Sequence, residues 1–93
     1  MPRLLEELEP GTPVFVGDVR VGDVRAVYAE GEARRAEYLC IRWEERQLDV
    51  LIPTSDVATL EVHGVILIGA EPATYANLVA FDPARVPLLR KLR

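Results

Sequence analysis

Residues 16–25 spell Val-Gly-Asp-Val-Arg twice in direct succession. Side chains along a strand alternate between faces with period two, so a displacement of five residues moves every letter of the second copy to the face opposite its twin. One straight strand therefore cannot use both copies in the same way. A two-residue hairpin loop at Gly17-Asp18, with glycine first as a type II′ turn prefers, pairs Val16 with Val19 and Val14 with Val21. All four valines then share one face, and Phe15 meets Arg20 on the other. In the second copy Gly22-Asp23 cannot reverse the chain again without ending the strand. A β-bulge there absorbs one residue and returns Val24 to the inward face. Gly17, Asp18 and Gly22 are thus read as structural residues. The nucleotide-binding alternative fails on pattern: neither GxGxxG nor GxxxxGK followed by Ser or Thr occurs in the chain.

Two further hairpins follow from apolar alternation. Leu39, Ile41 and Trp43 share a parity, as do Leu48, Val50 and Ile52. Burying both sets together sets Trp43 opposite Leu48, Ile41 opposite Val50 and Leu39 opposite Ile52, around a Glu44–Gln47 loop. The same register brings Arg42 beside Asp49 on the outer face, whereas a one-residue slip would bury Asp49 unpaired. After Pro53, read as structural, Thr54-Ser55-Asp56 forms a turn or a single helical turn. Residues 58–62 and 65–68 then flank a predicted His63-Gly64 loop, with Gly64 as the turn glycine and Leu60, Val62, Val65 and Leu67 facing the core. Leu4–Leu8 is compatible with a helical turn, and the segments YANL and VPLLRKL with short helices. The expected architecture is all-β: a small six-stranded antiparallel barrel over residues 11–69, with a partly helical extension over 70–93, in one domain of 93 residues.

The longest strongly apolar run, Val65–Ile68, is far below the roughly 20 residues of a membrane span. Glu6, Glu7 and Glu9 stand where a signal peptide would be apolar, so a cytoplasmic protein with no membrane contact is expected. The single cysteine, Cys40, excludes an internal disulfide and a CxxC metal site. Charge is uneven: residues 1–82 carry 7 basic and 15 acidic side chains, while residues 83–93 carry Arg85, Arg90, Lys91 and Arg93 and no acid. The acidic body repels polyanions, so nucleic acid would have to bind through that tail; the plainer reading is a cationic tail lying on an acidic body.

The layout of Gly11 and Val14, the Gly17-Asp18 turn, then Val21, Gly22, Val24 and Val27, then Ile52, Pro53 and Val57, and a closing apolar strand at Val65–Ile68 resembles the PRC-barrel family over residues 11–69. The resemblance implies a small β-barrel like those in the cytoplasmic part of photosynthetic reaction centre H subunits and in the carboxy-terminal domain of the ribosome maturation factor. Such domains dock and assemble, and do no catalysis of their own. The sequence shows neither an adjoining RNA-contacting domain nor a transmembrane helix, and the tail after Gly69 departs from the family pattern, so the ribosomal and photosynthetic roles do not carry over.

Candidate reactive groups are few. Cys40 has outer-face parity and no histidine near it in sequence, while His63 reads as a turn residue rather than a pH-sensitive contact. Trp43 shares the parity of the core set. Asp18 and Asp23 sit beside glycines as turn and bulge residues, with no third polar partner close in sequence to make them a catalytic pair. No catalytic, cofactor or metal residues are assigned and no cofactor is expected. The register instead leaves Phe15, Tyr38, Cys40 and Leu51 outside, with Ile66 and Ile68 beside them. Phe15, Tyr38, Cys40 and Leu51, with Arg90, Lys91 and Arg93, are the candidate partner-binding set. Either the tail folds back over this face, through Tyr75, Leu78, Val79, Phe81, Val86, Leu88, Leu89 and Leu92, or a second copy covers it as a homodimer. The expected function is a non-catalytic protein-interaction or assembly module; the alternatives are an RNA- or ribosome-associated factor using the basic tail and a small-ligand or enzymatic barrel.

Overall fold

The Gly17-Asp18 turn forms where the valine pairing requires it. Strands β1 (Pro13–Val16) and β2 (Val19–Glu30) meet there, with Val16 facing Val19 and Phe15 facing Arg20. Gly17 has φ of +60°, a conformation that costs other residues about 1–2 kcal/mol. The computed structural model describes residues 8–31, 35–61, 64–69, 75, 79–82 and 89–92. The expectations for Leu4–Glu7, Val62, His63, Leu78, Val86, Leu88 and Arg93 lie outside these residues.

Beyond the turn, β2 departs from the expected register. Val14 faces Gly22 rather than Val21, so the bulge sits at Val21, just before the expected Gly22-Asp23 position. A second bulge follows at Arg25, because Val24 faces Ile41 and Ala26 faces Cys40. Both have one cause. Val21, Val24 and Val27 all belong to the core although they are three residues apart, and a strand of period two brings them to one side only by gaining a residue in each interval.

β3 (Tyr38–Trp43) and β4 (Leu48–Pro53) pair in the expected register throughout, from Trp43 opposite Leu48 to Leu39 opposite Ile52. Arg42 Nη1 donates to Asp49 Oδ1 at 3.3 Å. A single 3-10 turn, Thr54–Asp56, leads into β5 (Val57–Glu61) and β6 (Gly64–Leu67). Glu61 faces Gly64, so Gly64 is not the expected turn glycine but the first residue of β6. It is buried, and a Cβ there would lie 2.5 Å from the Pro13 carbonyl oxygen.

The expected antiparallel barrel is replaced by an open, mixed sheet of seven strands, in the order β4-β3-β2-β1-β6-β5, with β7 (Leu89–Lys91) paired to β2 off this path. β1 and β6 run parallel, while every other pairing is antiparallel. Following directions along the order shows why. β4 and β5 run in the same sense, so the 3-10 turn bends the chain without reversing it, and β6 then returns alongside β1 in β1's own direction. Among the described residues β4 and β5 do not pair, and the sheet stays open. The helix expected in VPLLRKL is corrected too, since residues 89–91 are a strand, whereas Tyr75 of YANL has 3-10 conformation and residues 76–78 lie outside those described.

Register assigns the inner face in rows. Gly22, Trp43 and Leu48 form one, Val24, Ile41 and Val50 the next, and Val27, Leu39 and Ile52 the third. Across the other half run Val14, Val65 and Leu60, then Val16, Leu67 and Val57. The core is this inner face, joined by Leu8, Ala36 and Tyr75, and among the described residues it holds no buried polar or charged residue. Tyr75 caps one end. Its ring lies 5.6 Å from that of Trp43, and its hydroxyl donates to the Ile68 carbonyl at 2.9 Å, so the polar end of a buried aromatic is satisfied. Trp43 is a core residue, as its parity implied.

Candidate functional site

With an apolar interior, the chemistry of this chain lies on the outer face, which has two halves. Over β2, β3 and β4 the outward rows are Asp23, Arg42 and Asp49; then Ala26, Cys40 and Leu51; then Tyr28, Tyr38 and Pro53. The first row is a charge ladder. Arg42 pairs with Asp49, Asp23 lies 3.3 Å from Arg25, and Arg20 lies 3.8 Å from Glu44 at the hairpin end. The bulge puts Arg25 on the same side as Asp23, which accounts for their pairing. Asp23 is thus held in an ion pair and Asp18 is exposed in its turn, so the two acids do not converge. Among the described residues no group of His, Cys, Asp and Glu could hold a metal ion.

The tail runs along the free edge of β4 and reaches the outer face through Phe81. The Phe81 N–H donates to the Asp49 carbonyl at 2.7 Å, Ala80 bridges to Val50, and the Phe81 ring meets Tyr28 edge-on at 5.4 Å. Cys40 and Ala26 are buried although they point outward. Burial pushes the Cys40 thiol up to about 11, assisted by the negative charge of Asp49. At neutral pH such a thiol is a poor nucleophile. Burial raises Tyr28 as well, while Tyr38 is raised chiefly because its hydroxyl donates to Glu30 Oε1 at 3.1 Å. Leu51 and Tyr38 are half-buried.

The other half is different. Phe15, Ile66 and Thr59 form one outward row over β1, β6 and β5, and Ile68 continues the Ile66 parity beyond β6. The Phe15 ring lies over Gly64, whose missing side chain makes room for it. Phe15 and Ile66 are half-buried, and Ile68 is 47% exposed. The expected partner-binding residues therefore separate. Tyr38, Cys40 and Leu51 belong to the half that Phe81 reaches; Phe15, with Ile66 and Ile68, belongs to a strip on the other half.

The basic residues of the tail take a third place. β7 pairs with the edge of β2 that β1 leaves vacant, setting Tyr28 opposite Lys91, Ala29 opposite Arg90 and Glu30 opposite Leu89. Arg90 Nε donates to the Gly31 carbonyl at 2.9 Å, and Leu92 packs against the core. Of the other expected tail contacts, Leu89 is half-buried but Val79 is 80% exposed. Tyr28 was absent from the sequence-derived set. Its signal is there in the run after Val27, once a bulge at Arg25 is allowed to reset the parity.

Comparisons with family models, with curated proteins and with solved structures give no match to this chain. No helix among the described residues is long and apolar enough to cross a membrane.

Proposed function

We propose that this chain is a cytoplasmic, non-catalytic protein-interaction or assembly module of the PRC-barrel type. The observation that carries this reading is the outer strip formed by Phe15, Ile66 and Ile68. The chain's own tail reaches the neighbouring half of the outer face at Tyr28, through Phe81, yet Ile68 stays 47% exposed on this half. Phe15 and Ile66 are neighbours across β1 and β6 and Ile68 follows on the same parity, so apolar side chains here are grouped and not scattered, which supports a contact site. The RNA-associated reading draws less support, because the tail's Arg90 and Lys91 lie on a strand of the sheet, and Arg90 donates to Gly31.

A photo-crosslinking side chain at Ile66 or Ile68, with one at Val79 as the exposed control, tests the reading in cells that make the chain. A partner crosslinked from the strip and not from Val79, and lost when Ile68→Glu is introduced beside the Ile66 probe without a change in thermal midpoint, supports the proposal. Equal labelling from strip and control counts against it.

A further inference from the structure

Main-chain pairing along β2 is continuous on one side and divided on the other. β3 occupies one edge from Gly22 to Tyr28. On the opposite edge β1 pairs as far as Asp23, and its approach continues only to Val24, whose N–H donates to the Thr12 carbonyl. Beyond the Arg25 bulge that edge belongs to β7, at Tyr28, Ala29 and Glu30. Without β7 this stretch of β2 would be an unpaired strand edge, which is a ready template for another strand.

What holds β7 there is slight. It has three residues; Arg90 and Lys91 are exposed and Leu89 is half-buried. Only Leu92, whose N–H donates to the Val27 carbonyl, reaches the core, and it does so partly. Main-chain hydrogen bonds, Leu92, charge and the Arg90 Nε bond to the Gly31 carbonyl contribute to the seat. The charge is complementary in sign, not by contact: Glu30, whose carboxylate accepts from Tyr38, and Glu37, whose carboxylate accepts the Glu30 N–H at 2.8 Å on the β3 side, make this end of β2 acidic, and the segment paired along the other edge is basic. Residues 1–82 as a whole carry 15 acidic against 7 basic side chains. Elements with few buried contacts are the ones that open first in a folded protein.

We propose that the β2 edge at Tyr28–Glu30 is a strand-accepting site that β7 occupies in the isolated chain, and that its ligand is an extended basic segment of a protein partner with the pattern apolar-basic-basic-apolar. The partner's strand would take the main-chain pairing of Leu89–Lys91, set an apolar residue where Leu92 now reaches the core, and bring its basic residues opposite Ala29 and Tyr28, next to Glu30. Recognition by strand addition takes affinity from the main chain and selectivity from alternate side chains, which suits an edge with an acidic border and one apolar niche. The claim that a partner protein uses the site rests on the reading of the chain as an interaction module; the existence of the site does not.

The test uses the full chain and its Arg90→Pro variant. The Leu92 N–H faces β2, so by alternation the Arg90 N–H does too, and proline there removes that donor while leaving the body of the sheet unchanged. The probe is a synthetic peptide of residues 86–93, read by amide exchange at Ala29 and by NMR titration. In the variant, Ala29 loses protection while amides paired between β2 and β3 keep theirs, which shows that the sheet is folded. Added peptide restores the protection, binding the variant at least tenfold more tightly than the unaltered chain, whose own β7 competes at high effective concentration. A peptide with Arg90 and Lys91 replaced by Glu binds at least tenfold more weakly. A folded variant that fails to bind the peptide at millimolar concentration overturns the site, and equal binding of the acidic peptide overturns the basic ligand. Dimers of the unaltered chain that exchange β7 would make a second copy the occupant and overturn the separate partner. Failure of any arm leaves the crosslinking test at Ile66 and Ile68 standing.

Discussion

Replacing Gly22 by alanine should be among the most damaging single changes available to this chain. A Cβ at that position would lie 1.7 Å from the Arg42 carbonyl oxygen and 2.8 Å from the carbonyl carbon. The obstacle is backbone of the adjacent strand, so no rotamer change relieves it, and β2 and β3 must part by more than an ångström. A hydrogen bond of ordinary length does not survive such a shift. The affected pairings are Gly22 with Trp43 and Asp23 with Arg42, next to the Glu44 N–H donating to Val21 at 2.9 Å. Loss of two such bonds at about 1 kcal/mol each, with about 1–3 kcal/mol for displacing packed neighbours such as Trp43, gives about 3–5 kcal/mol. For a domain of this size that lowers the thermal midpoint by about 12–40 °C, taking roughly 4–8 °C per kcal/mol. Urea unfolding followed by circular dichroism measures it, with Gly31→Ala as the control. Gly31 has φ of +52° and nothing within 4 Å of its Cβ position, so alanine there meets conformational strain alone, about 1–2 kcal/mol. If Gly22→Ala costs no more than Gly31→Ala, close strand approach is not the reason for glycine at position 22.

Gly64→Ala should destabilise by about 1–3 kcal/mol through contact with the Pro13 carbonyl; an unchanged urea midpoint would mean that β1 and β6 do not pair as closely as described. Tyr75→Ala removes the ring against Trp43 and should cost about 3–5 kcal/mol, the range for a buried aromatic, whereas Tyr75→Phe should cost about 1 kcal/mol for the bond to Ile68. Cys40, with its thiol raised from 9.0 to about 11, should react with iodoacetamide at pH 8 roughly a hundredfold more slowly in the folded chain than in urea, since the thiolate fraction well below the pKa falls tenfold for each unit by which that pKa is raised. The raised thiol has a definite sign for stability. The folded state favours the protonated thiol, so this contribution is full below the unfolded value of 9.0 and is lost as pH rises through about 11. Replacing Cys40 by Ala should flatten the stability profile across that interval, and an unchanged slope would count against burial as its cause.

Local alternation was legible in full at one hairpin and at the turn of another, but not between β5 and β6, where the expected His63-Gly64 loop put Gly64 in the turn although it opens β6. The Glu44–Gln47 hairpin came out in full register, Arg42–Asp49 pair included, because apolar parity on both strands and a charge pair on the other face admit one solution. The Gly17-Asp18 turn was legible for the same reason. The candidate site was readable only as a set of outward parities: Phe15, Tyr38, Cys40 and Leu51 were read as outward and do point outward, but parity does not say what lies above a face. The ring that meets Tyr28 on this face comes from Phe81, which is 53 residues further on in the sequence.

The sequence by itself determined which residues alternate inward, where the chain turns tightly, and that β2 needs irregularities, since Val21, Val24 and Val27 cannot share a face otherwise. These are properties of neighbours within one hairpin, where side-chain period and turn geometry leave little choice. Tertiary structure alone decided that Thr54–Asp56 bends the chain without reversing it, which turns an expected antiparallel barrel into an open mixed sheet. It also decided that Gly64 serves the approach of β6 to Pro13, and that the basic tail completes an edge of β2. Each of these depends on the meeting of segments far apart in sequence, and the energy that selects such a meeting comes from contacts which no stretch of the chain holds by itself.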